Sequence, residues 1–127
     1  MNDSFSIRNM TKGKTQNLSF IDIKEKILGK KYSLSLVFIG ETRSRKLNKK
    51  FRKKDKPTDV LSFPLSKDEG EIFITPKQAK IKAKKFEKNQ KDFIGFLFIH
   101  GLLHLKGMDH GSRMDREEQK FCKTFDL

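Results

Sequence analysis

The residues best able to do chemistry lie in one run, HGLLHLKGMDH, from His100 to His110, which holds all three histidines of the chain. His100 and His104 stand inside the apolar stretch FIGFLFIHGLLHL, which reads as helix. On a helix this spacing puts both imidazoles on one face, about 6 Å apart along the axis. Gly107 then lets the helix stop, because glycine takes the left-handed cap conformation at little cost. The chain turns back, and His110 arrives from outside the helix. Three imidazoles from one helix and one turn make a three-point grip on a metal ion. A fourth position would stay open for water, which is the catalytic rather than the structural pattern for Zn²⁺. A closed structural site would need a fourth ligand, which Cys122 or Asp109 could supply. The plainest alternative, core or capping histidines, is weakened because all three fall at ligand spacing.

Metzincin-type metalloproteases show a similar three-histidine spacing, with a glutamate after the first histidine as general base. Here that position is Gly101, which cannot take a proton, and this weighs against peptide hydrolysis. The charge balance points elsewhere. The 127 residues include 29 Lys and Arg against 16 Asp and Glu, a net charge of +13. A domain this basic is expected to seek polyanions, nucleic acid first. The alternative is a lysine-rich surface that is merely solvated. Arg52 lies beside Arg45, Lys46, Lys49, Lys50, Lys53 and Lys54, and by spacing alone it belongs to that basic face. A planar guanidinium in a dry cleft can also hold two oxygens of a phosphodiester as negative charge builds there. No aromatic residue stands out on this basic segment as a platform for bases.

The elements that must position these groups follow the apolar pattern. SFSIRNM (4–10) alternates as a short strand, and LSFIDIKEKIL is helical, with Gly29 as its cap. YSLSLVFIG alternates and then turns apolar on both faces, as a central strand does. ETRSRKLNKKF reads as a basic helix with Leu47 and Phe51 as its core stripe. TDVLSFPL, ended by Pro64, and GEIFIT form an antiparallel hairpin across a short turn. Thr75 with Gln78, and Ser112 with Asp115, read as capping boxes opening the third and fifth helices. The histidine helix runs from about Lys91 to Lys106, and Met114, Glu118, Phe121 and Phe125 mark one face of the last helix. The expected class is α+β: a small mixed sheet of about four strands, its first pair parallel, with helices packed on it.

Length suits one domain over residues 1–127. A single cysteine, Cys122, excludes an internal disulfide and reads as a small core residue in a reducing compartment. No apolar run follows a basic N-terminal segment, so no signal peptide is expected. No stretch approaches the roughly 18 apolar residues of a membrane span, so no membrane partner is expected and the cytoplasm is the expected location.

HGLLHLKGMDH resembles the H-G-x-L-H-L-x-G-y-D-H signature of the YbeY family, single-strand-specific metallo-endoribonucleases of ribosomal RNA maturation. LNKKFRKKDKPTDVLSFP (47–64) resembles a second block of that family, and GEIFI resembles its G-D-[IL]-x-I strand. The resemblance implies a metalloprotease-like core with a histidine-bearing helix. It implies that His100, His104 and His110 hold one Zn²⁺ per chain. It places Arg52 at the active-site cleft as the group that stabilises the transition state, with Thr58, Asp59 and Ser62 on the strand beside it. Glu71 stands where the family commonly has Asp, at a position linked to partner contact. Met108 replaces a common Tyr. The implied function is cleavage of single-stranded ribosomal precursor RNA in ribosome maturation and quality control. The implied partners are ribosomal RNA, the small ribosomal subunit, a ribosome-associated GTPase and a small-subunit ribosomal protein. The segment from Arg43 to Lys56 would then gather single-stranded RNA electrostatically. Asp59 and Asp109 are candidates for orienting a histidine. Two rival readings stay open: an assembly factor with a structural metal and no turnover, and a zinc hydrolase of another kind.

Overall fold

The structure is a computed structural model, and it describes residues 4–127. The chain runs β1 (Phe5–Asn9), α1 (Phe20–Leu28), β2 (Ser33–Phe38), α2 (Glu41–Arg52), β3 (Val60–Ser66) and β4 (Glu69–Ile74), followed by α3 (Pro76–Lys85), α4 (Gln90–Leu105) and α5 (Ser112–Thr124). The four strands form one mixed sheet in the order β1-β2-β4-β3. β1 and β4 both run parallel to β2, and β3 closes the sheet antiparallel to β4. This is the α+β class that the sequence pattern implies, hairpin and first parallel pair included. β2 is flanked on both edges, and Leu36, Val37 and Phe38 at its end, with Ile39 just beyond, are all buried.

The apolar surplus of α4 has a direct consequence. A helix apolar all round must be surrounded, and α4 packs against α1, α3, α5, β3 and β4. Phe93, Ile94, Leu97, Phe98, Ile99, Leu102 and Leu103 are all buried. The Ser62 hydroxyl of β3 donates to the Gly101 carbonyl at 3.0 Å, which ties the edge strand to the histidine helix.

Several local expectations need correction. β3 does not stop at Pro64 but continues to Ser66, through a register irregularity. Pro64 is tolerated because β3 is an edge strand, where a missing donor is cheap. Neither capping box forms. Thr75 is the residue before α3, but its side chain makes no cap bond, and the Gln78 amide donates to Glu41 on α2 instead. Gly111, not Ser112, precedes α5, also without a side-chain cap bond. The side-chain cap opens α4, where Asn89 accepts from the Asp92 amide at 2.8 Å.

The stripe expected of α2 is also wrong. Its buried residues are Ser44 and Asn48, whereas Phe51 is 54% exposed. The helix is seated on the backbone of the loop that follows it. Ser44 Oγ donates to the Thr58 carbonyl and accepts from the Thr58 amide, both at 2.9 Å. Asn48 Nδ2 donates to the Lys56 carbonyl at 2.8 Å.

Candidate metal centre

Gly107 turns the chain at the end of α4. At φ +103° it sits in a region that favours glycine. Its amide donates to the His104 carbonyl at 2.9 Å, and the Met108 amide donates to the Leu103 carbonyl at 3.0 Å. This turn swings His110 back over the helix. The three rings converge, with centroids 4.6 Å apart for His100 and His104, 4.7 Å for His104 and His110, and 5.3 Å for His100 and His110. One nitrogen from each lies within 4.8 Å of the others.

The outward nitrogens explain the orientation. His104 Nδ1 lies 3.0 Å from the Met108 carbonyl, and His100 Nδ1 lies 3.2 Å from Glu118 Oε2. A carbonyl and a carboxylate only accept, so both Nδ1 atoms carry the proton and donate it. The two Nε2 atoms, 3.1 Å apart, then present lone pairs to each other. That contact repels unless a cation lies between the rings. Burial, and after it the neighbouring His100, holds the His104 imidazole below the ordinary histidine value, in the neutral form a metal needs. Three neutral imidazoles suit a divalent transition metal. Among the described residues, no fourth His, Cys, Asp or Glu joins this group.

Cys122 does not seal the site. It is half-buried against the core on α5, and burial pushes its thiol up. Asp109 is exposed and outside the group. Asp59 does not orient a histidine either. It is almost buried, with Oδ2 3.2 Å from Lys82 Nζ and Oδ1 accepting from the Thr58 hydroxyl at 3.4 Å. The residues that do this orienting are Glu118 and the Met108 backbone. The signal for Glu118 was its place on the Met114–Phe121 face of α5, where a carboxylate is out of character. Met108 does more than pack, since its carbonyl fixes a ring.

The three histidines open onto a cleft of about 630 Å³ lined also by Arg52, Thr58, Asp59, Ser62, Phe63 and Lys82. Arg52, at the end of α2, is exposed, and its side chain makes no ion pair or hydrogen bond with a described residue. Arg45 is spent otherwise, holding both Asp55 oxygens at 2.6 and 3.1 Å. Glu71 is half-buried on β4, opposite Phe63, and is not among the cleft residues. A side chain at position 101 would point at β4, its Cβ only 3.0 Å from Ile72 Cδ1. A glutamate at this position would therefore press on the Ile72 side chain in this packing.

The chain as a whole is similar to known proteins. The family model described as endoribonuclease YbeY matches residues 2–124. A protein of Acholeplasma laidlawii named endoribonuclease YbeY is 43% identical over 103 residues, covering 78% of this chain and 72% of its own. A protein of the same name from Campylobacter jejuni subsp. jejuni is 37% identical over 120 residues, covering 88% and 89%. The solution structure of a Thermotoga maritima protein superposes with a TM-score of 0.68 at 29% identity, covering 94% of this chain and 87% of that one. A match along nearly the whole length, with the histidine run and the 47–64 block in their expected order, places the chain in the YbeY family of endoribonucleases.

Proposed function

We propose that this chain is a zinc-dependent endoribonuclease that cuts single-stranded RNA during ribosomal RNA maturation. The observation that carries this reading is the histidine cluster: three rings converge on one point, no fourth His, Cys, Asp or Glu joins them among the described residues, and a free arginine lines the same cleft.

His100, His104 and His110 would hold the metal. When bound, Zn²⁺ supplies Lewis acidity that polarises a phosphate oxygen and acidifies water. Glu118 and the Met108 carbonyl keep two ring protons on the outside, so that the Nε2 lone pairs face inward. Arg52 offers a planar fork to the phosphodiester oxygens as their charge grows. Its lack of a carboxylate partner among the described residues leaves the fork available. The lysines flanking it draw in the polyanion. Ribosomal RNA on the small subunit is the substrate proposed, in the cytoplasm. A ribosome-associated GTPase and a small-subunit ribosomal protein are proposed neighbours there.

The test is cleavage of an end-labelled single-stranded RNA, with and without a chelator, by protein of measured metal content. The chelator and His104→Ala should both abolish cutting. Arg52→Ala should keep its metal and lose about 10²- to 10³-fold in rate. Equal cutting by His104→Ala overturns the proposal and exposes a contaminating nuclease.

A further inference from the structure

The basic segment offers an aromatic surface that its sequence did not advertise. Phe51, 54% exposed, leans its ring on Phe63 with centroids 5.0 Å apart and planes at 56°. Phe63 in turn meets Phe73 edge-on at 5.8 Å. The Phe51 ring is thus held from behind, while much of it faces solvent. It is also next in the chain to Arg52, and Phe63 and Arg52 line the same cleft as the three histidines.

The surroundings say what this ring could receive. Lys50 Nζ lies 5.2 Å from its centroid. Lys50, Lys53 and Lys54 are exposed and make no ion pair with a described residue. An exposed ring with the Lys50 ammonium over it and the free cations Lys53 and Lys54 following in the chain suits a ligand that is flat and apolar in one part, able to displace that lysine, and anionic in the next. A single-stranded nucleic acid alternates those parts, base and phosphate. An acidic protein segment would match the lysines but gives no reason for a braced, solvent-facing ring next to Arg52.

We propose that Phe51, braced by Phe63, is the stacking platform for an unpaired nucleobase beside the phosphodiester that Arg52 holds. This deepens the nuclease reading and rests on it. A base inside a duplex is stacked on its neighbours and cannot reach the ring. The platform therefore selects single strands by geometry, apart from the metal grip. Because every base has a π-face, it adds affinity without choosing a sequence.

The experiment uses the metal-loaded protein and an unstructured, ribose-methylated phosphorothioate oligonucleotide that resists cutting. A matched strand with its bases removed keeps the phosphate charge. Phe51→Leu, which still fills the space against Phe63, should weaken binding of the ordinary strand about tenfold and leave the abasic strand unchanged. The chain contains no tryptophan, so Phe51→Trp introduces a single reporter. Its emission should be quenched by the ordinary strand and not by the abasic one.

Unchanged binding by Phe51→Leu, with cleavage by the native protein intact, overturns the platform and leaves the nuclease reading standing. Equal weakening toward both strands makes Phe51 a shaper of α2 and also overturns it. Loss of association with ribosomal subunits while binding to the free strand persists assigns the ring to a protein contact and overturns it. If the native protein neither binds nor cuts RNA, both proposals fall together.

Discussion

At His100 the informative nitrogen is the one facing away from the cleft. Nδ1 meets Glu118, a carboxylate that is 6% exposed, on a different helix, and this contact decides which nitrogen is free for a metal. Glu118→Gln keeps an acceptor but loses the charge, and should weaken metal binding about tenfold. Glu118→Ala loses both, and should approach a hundredfold. Competition against a chromogenic chelator would measure this, and equal affinity in all three proteins would show the contact to be idle. Tyr32 presents the opposite case, a polar atom with nothing to hold. Its hydroxyl is buried without a hydrogen-bond partner, above Gly70. Burial first, then Asp68 and Glu69, raise its ionisation above the ordinary tyrosine value. The unfolded chain therefore loses this proton at lower pH than the folded chain, and stability falls as pH rises above about 10. Tyr32→Phe should stabilise the protein at neutral pH by about 1 kcal/mol and flatten that alkaline decline, as read by denaturant titrations. The histidines were legible in the sequence because helical spacing alone brings two of them together. Glu118 stands out in the sequence only as a carboxylate on an apolar helix face; its pairing with His100 is not legible, since nothing local pairs residues 18 apart on separate helices.

Among the helices and strands, sequence pattern and structure agree where one physical cause rules. The second half of β2 and most of α4 are apolar because they are buried, and their readings needed only hydrophobicity. α2 departs from its sequence pattern for the converse reason. Its expected Leu47–Phe51 stripe yields to Ser44 and Asn48, because hydrogen bonds to the loop backbone outweigh a narrow apolar seam. The capping boxes failed similarly, with Gln78 drawn to Glu41 across space. The polar seat has a use: it fixes the loop from Lys53 to Asp59, and with it the C-terminal end of α2 where Arg52 sits. Asn48→Ala deletes the donor to the Lys56 carbonyl and should cost about 1–2 kcal/mol. Amide exchange across residues 53–58 should quicken, and RNA cutting should slow while bound metal stays constant. Unaltered exchange would mean that the loop holds itself.

A net charge of +13 is either a general lysine surplus or a directed field. The sheet supplies an internal control. Val60, next to the cleft residue Asp59, pairs with Ile74 at one end of β4, whereas Ser33 pairs with Glu69 at the other. Lys30 and Lys31, which shortly precede Ser33, are therefore exposed at the end of the sheet far from Asp59. Lys53 and Lys54 are equally exposed but follow directly on Arg52. Each phosphate neutralised on a single strand contributes about −0.7 to the slope of log affinity against log salt. Replacing Lys53 and Lys54 by Gln should make that slope shallower by about 1.4 if both meet phosphates. Replacing Lys30 and Lys31 by Gln removes the same charge and should leave the slope where it was. Equal effects from the two pairs would mean that RNA is attracted by total charge alone. Only a difference between them makes the segment around Arg52 the path along which a strand reaches the histidines.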